Sequence, residues 1–250
     1  GIIMVALEPV VQLPEVQQLG PVGRQMVLDT LGRSLRDIFM RSYFITRNMM
    51  SDLNYSRGVL PVFCIFLKRS NQELLNLQYL VLDSAGRETM VPFENLRQSN
   101  TRGFRLTFRS AGGGKTRELY YVSADISDRG LSVRPGFHRF IQSHAPYNSF
   151  IKSASYLLHV SGFEEIRGMV VNTSRSLLQD DTGVPYKYVK KTFNGRFYGD
   201  YVRPIPDFSW LDKQWDLDSA YQVEKQPLPF SLGYHWNTRQ QNYMLFTRRN

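Results

Sequence analysis

Phe104-Arg105-Leu106-Thr107-Phe108-Arg109 alternates apolar and polar residues, the two-residue period of a strand with one face buried and the other wet. Arg117 to Ala124 follows as a second strand, and Gly112-Gly113-Gly114 between them supplies the backbone freedom of a hairpin tip. Upstream, Leu77, Tyr79 and Val81 lead through Ser84-Ala85-Gly86-Arg87 into Thr89 to Pro92, a further hairpin. Strands joined so closely pair antiparallel. The stretch therefore predicts a meander whose wet face carries Arg105 and Arg109.

Outward from the meander, helical and strand signals alternate. Residues 2 to 8 read as a buried strand ended by Glu8-Pro9. From about Val22, Leu28, Leu31, Leu35, Ile38 and Phe39 recur at helical spacing with charged residues opposite, so an amphipathic helix runs toward Met50. A second helix, capped by Asn54 or Ser56, is apolar all round from Val59 to Phe66 and belongs in a core. Helical spacing returns at Phe137, Phe140 and Ile141, and at Phe150, Ile151, Ala154, Leu157 and Leu158. Ser161 and Glu164 have capping-box spacing ahead of Phe163, Ile166, Val170 and Val171. Val184 to Val189 is strand-like, and the chain closes with a hairpin of Phe230, Leu232, Tyr234 and Trp236 against Tyr243 to Thr247. This order predicts a single α+β domain over residues 1–250, a mainly antiparallel sheet packed by helices. A three-layer α/β arrangement is the alternative, should a segment upstream make residues 2 to 8 the second strand of a parallel unit.

With 250 residues, 42% hydrophobic and 13% aromatic, the chain can bury a substantial core and is not of disordered composition. No apolar run approaches the roughly 20 residues that span a bilayer. The net charge of +9, from 31 basic against 22 acidic residues, attracts nucleic acid, anionic headgroups or acidic envelope polymers. Spread along the chain as it is, it also reads as ordinary solubility charge. The single cysteine, Cys64, excludes an internal disulfide and a multi-cysteine metal site. Its apolar neighbours disfavour a reactive thiolate.

No complete catalytic or cofactor motif is present. Gly112-Gly113-Gly114-Lys115-Thr116 lacks the earlier glycine of a phosphate loop, where Arg109 stands, and joins two strands rather than a strand and a helix. The four histidines, His138, His144, His159 and His235, lack zinc-protease spacing. His159 falls near a helix C-terminus, where an imidazolium is favoured. Gln179-Asp180-Asp181-Thr182-Gly183 is the most informative polar stretch, because adjacent carboxylates repel unless a turn, a cation or a ligand holds them. With Asp125 and Asp128 they suit acid/base hydrolysis or a hard cation. Asx-turn geometry, completed by Gly183, explains the same residues with no ligand and is the simpler reading. The ligand-binding candidates are Asp125, Asp180, Asp181, His159 and Arg203, and convergence on one concavity is their test. No metal site or cofactor is implied. Asn54-Tyr55-Ser56 and Asn172-Thr173-Ser174 match the glycosylation sequon.

Ala6-Leu7-Glu8-Pro9, Phe44 through Asp52, Arg57-Gly58-Val59-Leu60-Pro61, Ser123-Ala124-Asp125-Ile126-Ser127, Ser155-Tyr156-Leu157-Leu158-His159, Leu178 to Tyr188 and Leu228-Pro229-Phe230-Ser231-Leu232-Gly233-Tyr234 together resemble a family of uncharacterised bacterial proteins predicted to be exported. The likeness covers most of the chain. It implies a signal sequence and a further segment before the Leu-Glu-Pro strand, which this chain lacks, and an envelope or secreted setting. It implies no activity.

Two functions of different class follow. The first is a noncatalytic exported envelope protein binding an anionic or glycan-like partner, suggested by the charge, the Arg105 and Arg109 face and the Tyr- and Trp-rich C-terminal third. The second is a hydrolase or transferase with an Asp180/Asp181 acid/base pair and His159 as partner. Nucleic-acid binding ranks below both, because no recognition motif is present.

Overall fold

The structure, a computed structural model, describes residues 2–6, 10, 12–13, 18–41, 59–98, 101–151, 155–204, 210–229 and 241–249. The proposed caps Asn54 and Ser56, the run toward Met50, the Asn54 sequon and the Phe230 to Trp236 arm lie outside them. The chain is α+β, and five of the seven strand pairings among the described residues are antiparallel. Its strands divide between two sheets, each in its own compact unit. No helix among the described residues is long and apolar enough to cross a membrane.

In the first unit, β1 (Ile2–Ala6), β2 (Gln72–Leu82), β3 (Glu88–Val91), β4 (Arg102–Ser110) and β5 (Arg117–Ser123) form a sheet in the order β1-β5-β4-β2-β3. The alternation read in the sequence decides its faces. Phe104, Leu106 and Phe108 are buried with Leu119 and Tyr121 from β5. The helix α2 (Leu60–Arg69) packs on them, with Phe63 edge-on to Phe104 at 6.2 Å and to Tyr121 at 5.8 Å, while Phe104 and Tyr121 stack at 4.9 Å. Each such ring withdrawn from water contributes about 1.5–3 kcal/mol. Pro61 opens α2, whose N-cap Val59 makes no side-chain cap. Leu60, Pro61 and Val62 are buried, while the helix from Phe63 to Leu67 is half-buried. Burial pushes the Cys64 thiol above its usual range, as a structural cysteine requires.

The tips of this sheet are as read. Gly112 to Gly114 join β4 to β5. Asp83 closes the other turn, its Oδ1 accepting from the main-chain N–H of Ala85 and of Arg87, each at 2.9 Å. The wet face differs from expectation. Arg105 contacts Glu88 Oε1 at 3.3 Å and Glu118 Oε1 at 3.5 Å and donates to Gln78 at 2.7 Å, and Arg109 pairs with Glu73 at 2.8 Å. Opposite charges on neighbouring strands face each other across the ladder and neutralise the basic face.

The helix α1 (Pro21–Arg41) is present, yet of the anticipated apolar stripe Leu31 is buried and Leu28 remains 60% exposed. The short helices α3 (Asp128–Val133) and α4 (Pro135–Ser143) follow β5. Phe140, at its place on α4, meets Tyr120 at 5.5 Å.

The second unit carries the sheet β6-β7-β9-β8, from β6 (Tyr147–Phe150), β7 (Ser174–Gln179), β8 (Phe193–Gly199) and β9 (Asn242–Arg248). Phe150 thus ends a strand instead of starting a helix, and among the described residues of that stretch Ser155–His159 forms a 3-10 helix. Leu177, Met244, Phe246, Phe193 and Phe197 make the buried face. Helices α5 (Glu164–Thr173), α6 (Tyr186–Val189) and α7 (Trp215–Val223) belong to this unit, and Tyr221 packs on Phe197 at 5.2 Å. The strand expected over Val184 to Val189 is therefore a loop and the helix α6. Pro185, at φ −53° just ahead of α6, has no N–H to give a strand ladder.

α5 starts at Glu164, two residues later than a Ser161 cap would set it, and its cap is a different one. The N-cap is Phe163, which makes no side-chain cap. Asp128 instead accepts from the main-chain N–H of Glu165 at 2.8 Å and of Glu164 at 3.2 Å. A carboxylate from a distant segment satisfies the orphan donors and complements the helix dipole. Burial raises the Asp128 pKa, but hydrogen bonding with the Glu164 side chain, together with these main-chain bonds and the Arg167 charge, outweighs it and holds the carboxyl below its usual range.

Candidate functional site

The polar stretch after β7 is a buried, internally bonded turn. The Gln179 amide clasps Val184 on both sides: Nε2 donates to the Val184 carbonyl at 2.8 Å, and the Val184 N–H donates to Oε1 at 2.8 Å. Gly183 sits in this clasp, where a Cβ would come within 2.5 Å of the Gln179 side-chain Cδ. Asp180 Oδ1 accepts from the Thr182 N–H at 2.9 Å and the Thr182 hydroxyl at 2.5 Å, the Asx-turn bond. The Ser155 hydroxyl in turn shares a hydrogen bond with Thr182 Oγ1.

Asp181 is held from across the sheet. Its N–H donates to Asn242 Oδ1 at 2.9 Å, and Asn242 Nδ2 donates to Asp181 Oδ1 at 3.0 Å. Gln214 Nε2 donates to the Asp181 carbonyl at 3.1 Å, while Gln214 Oε1 accepts from the Tyr186 N–H at 2.7 Å. The two aspartates are 7% and 4% exposed. Their charge is felt nearby. Burial first, then the carboxylate of Asp181 with those of Asp218 and Asp216, push the Tyr201 hydroxyl up to about 12. Burial first, then the carboxylates of Asp181, Asp180 and Asp200, push Tyr221 up as well. Both phenols are therefore protonated at neutral pH. That of Tyr221 donates to the Tyr243 carbonyl at 3.1 Å.

His159 reaches this turn. Burial lowers its pKa, opposed by hydrogen bonding to the main chain of Gly183 and Asp181 and reinforced by Arg167 and Lys187. Nε2 is buried without a hydrogen-bond partner. The imidazolium expected from the helix terminus is thus disfavoured, because desolvation of the charged ring outweighs the pull of a one-turn 3-10 helix. Of the five candidates the structure gathers Asp180, Asp181 and His159. Arg203 is exposed, and Asp125 is exposed in the first unit. No group of three or more His, Cys, Asp and Glu among the described residues is placed to hold a metal ion.

A second feature of this unit escaped sequence reasoning. Trp215, the first residue of α7, is 71% exposed, and Lys213 Nζ lies 4.3 Å from its ring centroid. Nearby on α6, the exposed ring of Tyr188 has the Arg167 guanidinium at 4.5 Å and Lys187 Nζ at 5.0 Å. The α6 and α7 helices pack together, and Lys190 on the first segment bridges to Asp216 on the second at 3.1 Å. The local signal was the tryptophan content of the C-terminal third, with Trp215 set amid Asp212, Lys213, Gln214 and Asp216 and nothing to mark it as exposed. Comparison with protein-family models, curated proteins and solved structures gives no match for the chain.

Proposed function

We propose that the protein is a noncatalytic exported envelope protein that binds an anionic or glycan-like polymer. The observation that carries this reading is the exposed Trp215 ring with Lys213 at 4.3 Å. A large aromatic face left in water and flanked by a cation suits a partner with apolar ring faces and polar or acidic substituents. The net charge of +9 favours the approach of such a polymer. The bacterial, exported setting comes from the sequence resemblance alone. Titrating the protein with an acidic polysaccharide at rising salt tests the reading: affinity should fall steeply, and absence of binding at low salt removes it.

A hydrolase or transferase built on Asp180 and Asp181 is the second reading, favoured by the His159 ring beside their turn. The bonds from Thr182 and Asn242 already use these carboxylates as turn and cross-strand anchors. A screen of hydrolytic substrates with the protein and its Asp180→Asn, Asp181→Asn double variant decides it, and activity lost in the variant at unchanged unfolding midpoint would favour catalysis.

A further inference from the structure

The ledge formed by α6 and α7 has two chemically different ends. Around Trp215 the charges are matched: Lys213 pairs with Asp218 at 2.6 Å and Lys190 with Asp216 at 3.1 Å. What remains is an aromatic face with a rim of carboxylates and ammonium groups, including the exposed Asp212. Such a rim both donates to and accepts from hydroxyl groups. At Tyr188 the balance differs. Lys187 is exposed, and among the described residues no carboxylate stands within ion-pair distance of it. Arg167, on the same ring, is 7% exposed, donates to the Leu158 carbonyl at 2.8 Å and contacts Glu164 at 3.6 Å, which leaves Lys187 as the accessible cation there. One end is a charge-paired stacking platform and the other offers the exposed ammonium of Lys187.

We infer that the occupant of this ledge is an acidic polysaccharide, with a sugar face stacked on Trp215 and a carboxylate group at Lys187 beside Tyr188. This rests on the binding function proposed above and names its site and substrate class. Single-stranded nucleic acid also stacks on aromatics, but it brings a phosphate to every base and needs a groove that is cationic throughout. Beside Trp215, Lys213 and Lys190 are already engaged by Asp218 and Asp216, and the exposed carboxylate of Asp212 would face those phosphates. A pyranose ring presents C–H groups to the indole and hydroxyls to the carboxylates, so charge complementarity selects the sugar.

Polygalacturonate, its fully methyl-esterified form and an oligothymidylate are the probes, with binding followed by calorimetry for the whole chain. Trp215→Ala should weaken both polysaccharides about tenfold, with Trp215→Tyr recovering most of it. Lys187→Gln should weaken only the acidic form and reduce the slope of log affinity against log salt by about 1. Thermal unfolding of each variant should match the parent, since both side chains are exposed. If the acidic polymer binds and neither variant changes its affinity, the ledge is not the site, though the binding function stands. If the parent binds neither polysaccharide, both the function and this assignment fall. Tighter binding of the oligothymidylate than of either polysaccharide overturns the substrate class.

Discussion

Asp181 and Asn242, 61 residues apart, bond each other twice: the aspartate main-chain N–H donates to the asparagine side-chain Oδ1 at 2.9 Å and the asparagine Nδ2 donates to the aspartate carboxylate at 3.0 Å. Both residues are buried. The bond pair fixes the turn after β7 to the first residue of β9, its antiparallel neighbour.

Removing one member leaves a buried N–H and a buried carboxylate without these bonds. Asn242→Ala should therefore lower unfolding stability by about 3 kcal/mol. Asn242→Asp should cost more, since it sets two carboxylates face to face. Urea unfolding monitored by circular dichroism checks both. A midpoint within error of the parent would show that the pair contributes nothing.

The second expectation concerns pH. The folded protein holds His159 below its usual pKa of 6.5, chiefly by burial. As pH falls below about 6.5 the unfolded chain therefore takes up the proton before the folded one does, and stability declines until the folded-state pKa is passed. The contribution of Asp128, whose folded pKa lies below 3.8, has the same sign but is lost in a separate, more acidic window. In His159→Gln, the decline that sets in below about pH 6.5 should flatten while the more acidic loss remains. An unaltered profile in that variant contradicts the placement of the ring.

A third expectation separates the two basic surfaces. Arg105 and Arg109 are each paired with glutamates on other strands of the sheet. Replacing both by glutamine should change affinity for an acidic polysaccharide less than about twofold, because these cations are already neutralised. Stability should fall by no more than about 1 kcal/mol per partly exposed pair. Affinity measured beside that of Lys187→Gln provides the comparison.

Which parts of this molecule could be read from its residues follows from how local their causes are. The β4 alternation at Phe104, Leu106 and Phe108 and the glycine tip after it are short-range features, and they appear as read. Asp180 makes the Asx turn because its acceptor reaches a donor two residues away. Where the cause is distant, the reading missed. The cap of α5 comes from Asp128, 36 residues before Glu164. The glutamates that silence Arg105 lie on two other strands. Asn242 carries no local sign of its bond to Asp181. The His159 error has the same origin: its helix terminus was visible and the burial that opposes it was not. Val184 to Val189 went wrong for the opposite reason, since Pro185 was in plain view and marks the entry to a helix better than a strand.

The central claim is that the buried aspartate turn serves the fold and the exposed ledge serves binding. It is tested most directly by measuring unfolding midpoint and affinity for polygalacturonate together in two variants. The account predicts a crossed result: Asn242→Ala loses stability yet, while folded, binds as the parent does, and Trp215→Ala keeps its midpoint and loses about tenfold in affinity. An Asn242→Ala protein that is folded and no longer binds, beside a Trp215→Ala protein that binds normally, would contradict it.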